Sequence, residues 1–340
     1  MTRLEQLAEA TEPDSILIVR LKCMGDVVMT LPLVHRLRDN FPRTRLSFLV
    51  SSENAPLLQG FADVDEVIIL NRAPFRHGTL REMWHELRAL YQQLRHGRFA
   101  MALDLQGYGE TAGLVRLTSA PVRWGRGRNF PRRWAYTLPP MPAVRMHPAQ
   151  WNLSLLDHGG IAPQPVRNEF RTPVTARRAA EQFLHQHELK PDRPLLFIQP
   201  FTSTPLKNWP LANYLAVAHT VRTQGGQVLF GGGPRDEALL EPARQQGFAV
   251  AAGQPLLTMA GLMQHAALVL GSDTGLLHLA VAQGRRVLML LPAAMKGLCP
   301  FQHPNWAFRW PDAHQVADIP AAAVGAEVNR ILAPAQPVAA

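Results

Sequence analysis

The chain has 340 residues, 47% of them hydrophobic and 18% charged, which excludes a disordered protein and suggests two domains of ordinary size. Its formal charge of +9 is heavier on residues 1–172, at +6, than on the remainder, at +3, and favours anionic partners without choosing among nucleic acid, anionic lipid and phosphorylated ligands. The two cysteines, Cys23 and Cys299, exclude a disulfide framework, have no metal-ligand spacing and fit a reducing compartment.

In chain order, Ser15–Arg20 reads as a buried strand and a helix is predicted from about Asp26 to Asp39. Arg45–Val50 and Glu66–Leu70 read as strands, Thr79–His96 as a helix and Phe99–Asp104 as a strand. The Pro-rich stretch Pro139–Pro173 is interrupted by one helical segment, His147–Leu156. The pattern then restarts. Strands are predicted at Pro194–Gln199, Gln227–Gly231, Leu268–Gly271 and Arg286–Leu290. Helices are predicted at Pro210–Thr223, Pro234–Gln246 and about Thr274–Ala282. Alternating strands and helices imply an α/β protein with two parallel sheets. The expected domains are residues 1–172 and 173–340, facing each other across a ligand cleft at the carboxyl ends of the strands. The N-terminus lacks the apolar core of a signal peptide. The longest strongly apolar run, Val287–Met295, is broken by Pro292 and is far short of the roughly 18 residues that span a bilayer. A cytoplasmic protein is expected, with peripheral contact at a membrane left open.

Four strand-to-helix turns carry the chemistry. The first is R-L-K-C-M-G-D, Arg20 to Asp26. Here Gly25 allows a tight turn, and Asp26 serves either as a helix cap or as a general base. Arg20 and Lys22 stand ready to hold an anion. The single glycine argues against a dinucleotide fingerprint. The second is Q-P-F-T-S-T-P-L-K-N-W-P, Gln199 to Pro210. Lys207, read as sitting just before a helix N-terminus, would hold an anion there with the hydroxyls of Thr202 and Ser203. The plainer reading is a polar loop with a solvated lysine. The third is G-G-G-P-R-D-E, in which Glu237 either suits the helix dipole or binds ribose hydroxyls. The fourth is G-S-D-T-G-L-L-H, Gly271 to His278. Asp273, Thr274 and Gly275 would open a helix onto a phosphate, with His278 one turn further on. A capped helix with a core histidine is the alternative.

An arginine cluster, Arg116, Arg123, Arg126, Arg128, Arg132 and Arg133, is interleaved with Trp124, Trp134 and Tyr136. It reads as a solvated basic face or as a site for a phosphate- or carboxylate-bearing acceptor, and no nucleic-acid motif accompanies it. Asp63 and Asp65 spell D-x-D but read as solvated loop carboxylates. No zinc cluster or P-loop is present, so no metal and no cofactor are expected.

R-L-K-C-M-G-D-V-V-M-T-L-P, T-S-T-P-L-K-N-W-P, G-G-G-P-R-D-E and S-D-T-G-L-L-H-L-A occur in that order over about residues 15 to 292. In this the chain resembles glycosyltransferase family 9, the ADP-heptose:lipopolysaccharide heptosyltransferases. The resemblance implies a GT-B fold and a metal-independent transfer that inverts the anomeric carbon. It implies Asp26 as general base and a donor site of Thr202, Ser203, Lys207, Glu237, Asp273, Thr274, Gly275 and His278. An ADP-heptose-like nucleotide sugar is the implied donor and a lipid A–Kdo or heptose core the implied acceptor, met by Arg20 and Lys22 and, more weakly, by Arg123 and Arg126. Gln199-Pro200-Phe201 departs from the His or Pro-Gly of many members, and L-P-A-A-M-K-G-L-C-P is also unlike them. The alternatives are a nucleotide-sugar epimerase of the same build and a non-catalytic binder of anionic glycolipid. A dehydrogenase is disfavoured by the missing glycine fingerprint.

Overall fold

The computed structural model describes residues 12–126, 132–139, 141, 145–295 and 297–333. The chain divides into two compact units, Met1–Arg171 and Thr172–Ala340.

In the first unit five short strands, β1 (Ser15–Val19), β2 (Arg45–Ser51), β3 (Glu66–Leu70), β4 (Met101–Asp104) and β5 (Val122–Gly125), form a parallel sheet. Their order is β3-β2-β1-β4-β5. β1 is S-I-L-I-V, apolar at nearly every position and buried throughout, as a central strand covered on both faces must be. The helices are α1 (Met24–Val28), α2 (Leu31–Asn40), α3 (Ala73–His77), α4 (Leu80–His96), α5 (Gly109–Leu117) and α6 (Pro148–His158). Leu90 and Leu94 of α4 pack on Leu17, Val19, Leu49 and Ile68 of the sheet. The helix expected over residues 26–39 is two helices. It breaks at Met29 and Thr30: the second helix begins at Leu31 with Pro32 in its first turn, and the Thr30 hydroxyl donates to the Val27 carbonyl at 2.7 Å.

The second unit holds β6 (Leu195–Gln199), β7 (Gln227–Gly232), β8 (Ala249–Ala252), β9 (Leu268–Ser272), β10 (Val287–Leu290) and β11 (Ala307–Phe308), again all parallel. The order is β8-β7-β6-β9-β10-β11. Its helices are α7 (Val174–Gln186), α8 (Leu211–Thr223), α9 (Glu241–Gln245), α10 (Leu256–Gln264), α11 (Gly275–Ala282) and α12 (Ala321–Leu332). Trp209 is fully buried, meets Tyr214 edge-on at 4.8 Å and donates to the Ile319 carbonyl at 2.8 Å. The helix expected over residues 234–246 is instead two short 3-10 turns followed by α9. Pro242, in the first turn of α9, has no N–H with which to continue a helix from the preceding turn.

Both sheets have the doubly wound, Rossmann-like order, in which strand order reverses once, between β1 and β4 and between β6 and β9. Loops leaving those two strands diverge, so a crevice opens at the carboxyl edge of each sheet, and ligands bind there in this architecture. Among the described residues, no helix is long and apolar enough to cross a membrane.

Candidate functional site

In the first unit the switch point is occupied by charge. Arg20, at the end of β1, is buried; its guanidinium donates to the Leu105 carbonyl beyond β4 and is ion-paired with Asp26. Asp26 is the third residue of α1 and not its cap. Its Oδ2 accepts from the Cys23 N–H at 3.3 Å, and Gly25 lies inside the helix, not in a turn before it. The carboxylate is one-third exposed, so it is held by a buried cation yet open to solvent. Gln106 Oε1 accepts from the Leu21 and Lys22 N–H groups at 3.0 and 3.1 Å, which fastens the β1 loop to the β4 loop. Lys22 Nζ lies 3.8 Å from Glu110 and 5.4 Å from the centre of the Tyr108 ring.

Beneath these groups Asp104 is fully buried and accepts from the Gln106 and Gly107 N–H groups and, at 2.6 Å, from the Tyr136 hydroxyl. Burial raises its pKa above the usual carboxylate range, against the lowering effect of those donors. Gly107 has φ +71°, and a Cβ there would lie 2.4 Å from the Cβ of Arg126, so this loop needs glycine twice over. Arg126 stacks 3.8 Å above the Trp151 ring. Burial and then the positive charge of Arg20 bring its pKa down to about 10.

The expected arginine cluster therefore separates. Arg126 belongs to the charged edge. Arg123, offered as an acceptor contact, is spent on its own unit, donating to the Ala135 carbonyl at 2.7 Å and to that of Ala120. Arg132 reaches the Gly107 carbonyl at 3.2 Å, and Arg116 lies over Trp134. Arg128 lies outside the described residues. Asp63 and Asp65 are paired and not merely solvated: Asp63 meets His35 and Arg167, and Asp65 meets Arg38 at 2.6 Å. Gln106, Glu110, Asp104 and Trp151 carry no site expectation from the sequence, and Tyr136 figures there only as an aromatic within the arginine cluster. The one available signal was D-L-Q-G-Y-G-E, a glycine-bearing turn after an apolar strand.

In the second unit the switch point is bridged by an ion pair. Lys207, in the loop after β6, donates from Nζ to Asp273 Oδ2 at 2.7 Å; Asp273 follows β9. His278 Nε2 lies 3.0 Å from Asp273 Oδ1. Burial pushes the Asp273 pKa up, but the hydrogen bonds and charges of His278 and Lys207 outweigh it and bring the value down to about 2. Thr274 caps α11, its side chain accepting from the Leu277 N–H, so Gly275 starts the helix two residues beyond the Asp273 carboxylate. Gly271 lets β9 approach β6: a Cβ there would lie 2.6 Å from the Gln199 carbonyl oxygen. Lys207, Asp273 and Leu206 line a cavity of about 460 Å³ with Leu290, Pro292 and His314.

The remaining expected residues lie on the same sheet edge with altered local roles. Lys207 does not directly precede a helix. It ends a 3-10 turn, Pro205–Lys207, and α8 starts at Leu211. The Thr202 hydroxyl is bonded within its loop, donating to the Thr204 carbonyl at 2.7 Å, while Ser203 is exposed. Glu237 is exposed and paired with Arg244 after β7, the strand on the other side of β6 from β9. Among the described residues no group of three or more His, Cys, Asp or Glu is arranged to hold a metal ion.

The profile of glycosyltransferase family 9 (heptosyltransferase) matches residues 87–300. The lipopolysaccharide core heptosyltransferase OpsX of Haemophilus influenzae is 22% identical over 287 residues, covering 82% of this chain and 79% of that protein. The glycosyl transferase family 9 structure from Veillonella parvula superposes with a TM-score of 0.83 at 21% identity, covering 95% of this chain and 99% of that one. The Escherichia coli heptosyltransferase WaaC, solved with ADP, gives 0.77 at 21% identity, covering 93% and 99%.

Proposed function

The chain belongs to glycosyltransferase family 9, and from that premise we propose that it moves a heptose from an ADP-sugar to an anionic lipopolysaccharide core acceptor, with inversion and without a metal. The observation that carries this reading is the Lys207–Asp273–His278 cluster, which sets a cation at the switch point where a nucleotide diphosphate binds in such a sheet. The relatives' names support heptose and a lipopolysaccharide core, and the ADP held by a structural neighbour supports the nucleotide.

In this reading residues 173–340 take the donor. Lys207 and the Ser203 hydroxyl hold the diphosphate, with Thr202 shaping the loop. Asp273 positions Lys207, His278 positions Asp273, Thr274 and Gly275 present the start of α11, and Glu237 takes the ribose. Residues 1–172 take the acceptor, with Lys22 and Arg126 as its cationic contacts and Arg20 holding Asp26. The acceptor hydroxyl attacks the anomeric carbon and its proton passes to Asp26. The bond from that carbon to the diphosphate oxygen breaks, and its electron pair leaves on ADP. A carboxylate is a weak base at neutral pH, so the proton moves late, when the attacking oxygen has become acidic. Lys207 answers the charge that grows on the leaving diphosphate.

Asp26→Ala tests the assignment. Transfer from ADP-heptose to a lipid A–Kdo acceptor should be abolished while donor affinity stays within about twofold. Normal turnover in this variant would remove Asp26 from the base role. Turnover of the donor with no acceptor present would favour an epimerase.

A further inference from the structure

α4 has an outward face that the proposed transfer does not use. At about 100° per residue, Leu80, Trp84 and Tyr91 fall on one strip and Arg81, Arg88 and Arg95 on the strip beside it. Leu90 and Leu94, on the opposite side of the apolar strip from the arginines, are buried in the unit. Leu80 is 74% and Trp84 67% exposed, values that no packing within the unit explains. Leu117, also exposed, faces them from α5, and the two helices enclose a groove of about 690 Å³ between Trp84, Tyr91, Leu117 and Arg88.

The charge on this face has one sign. Both carboxylates of α4 lie outside the strip and are turned back to the unit: Glu82 accepts from the Thr79 N–H at 2.7 Å and Glu86 from the Asn71 N–H at 2.9 Å. Arg95 donates to the Ser119 hydroxyl and remains exposed. Among the described residues none of the three arginines has a carboxylate within 4 Å.

We propose that this face of α4, with Leu117, docks on an anionic lipid bilayer. Trp and Tyr suit the boundary between headgroups and acyl chains, and arginines can lay their stems along apolar surface while their heads reach phosphate. The exposed Leu80 and Leu117 decide between anionic partners. Aliphatic side chains gain nothing against a sugar–phosphate polymer but are sheltered in a bilayer. Docking here would hold the enzyme at the surface where a lipid-borne acceptor resides.

Sedimentation of the full chain with vesicles tests this without any transfer reaction, so failure of the proposed activity and failure of docking are separate results. Binding should appear on vesicles of phosphatidylcholine with phosphatidylglycerol, be weak on phosphatidylcholine alone, and fall with salt. Arg81→Gln, Arg88→Gln and Arg95→Gln should each cost about fivefold, and together on the order of a hundredfold. Trp84→Ala with Tyr91→Ala should cost tenfold or more even at low salt, on the order expected for the apolar area lost. All these side chains are exposed, so the variants should unfold at the wild-type temperature and still transfer sugar to a short, water-soluble acceptor. Equal binding to both vesicle types, or unchanged binding by the variants, would overturn the proposal. So would a wild-type dimer that Trp84→Ala converts to monomer, which would make the face an interface between copies, or retention on nucleic acid lost in the same variants.

Discussion

Replacing Asp273 with asparagine keeps its volume and removes its charge, and the cost can be worked from the site. The carboxyl has an ordinary pKa of 3.8 and sits at about 2 in the fold, because the bonds from His278 and Lys207 exceed the effect of burial. Each pKa unit is worth about 1.4 kcal/mol, so ionised Asp273 adds about 2 kcal/mol to the stability of its unit at neutral pH. The side chain is only 14% exposed, so solvent screening removes little of this. The sign follows from proton uptake. The unfolded chain binds the proton more readily, so the full contribution is present above about pH 4 and is lost as the pH falls through about 2. Urea unfolding of wild type and Asp273→Asn at pH 7, 4 and 3, compared at equal slope, should show a gap of about 2 kcal/mol at the first two values and roughly half of that at pH 3. A gap under about 0.5 kcal/mol at pH 7, or one unchanged at pH 3, would refute the reasoning.

Lys207→Ala should weaken ADP binding about 10- to 100-fold by calorimetry, the worth of one charge-assisted hydrogen bond. Unchanged affinity would displace Lys207 from the diphosphate. Transfer should persist in EDTA; loss on chelation with recovery on adding Mg²⁺ or Mn²⁺ would point to a metal-assisted reaction. Asp104→Asn mimics the protonated acid that burial favours, so its stability relative to wild type should rise as pH climbs from about 4 to 7. A relative stability that falls over that range in denaturant melts would mean the anion is the better-held form.

The central strands were legible because each is a short, β-branched apolar run bounded by polar residues, as in S-I-L-I-V at β1 and E-V-I-I-L at β3. V-R-W-G at β5, A-V-A-A at β8 and the two residues of β11 carry no such signal; alanine runs suit a helix equally well. Helices α5, α7, α10 and α12 are obscure in the sequence for the related reason that Ala, Gly and Thr interrupt their apolar stripes. The motifs name Asp26, Lys207, Asp273 and His278, but not which of these side chains meet. Sixty-six residues separate Lys207 from Asp273, and 85 separate Leu21 from Gln106, so those bonds exist only once the strand order is known. Asp104 looked like a strand ending in a polar residue. Its burial under Tyr136 depends on a segment 32 residues away.

In the proposed transfer the Lys207–Asp273 bond would bear on turnover as well as on the hold of the second unit. If Lys207 holds the diphosphate as proposed, it would trade that carboxylate for a phosphate when nucleotide arrives and regain it when the nucleotide leaves. In the proposed donor site the carboxylate would then act as a built-in competitor, tempering affinity and speeding the departure of spent ADP. The variant lacking that charge should hold nucleotide longer and cycle more slowly, although the same substitution loosens the fold.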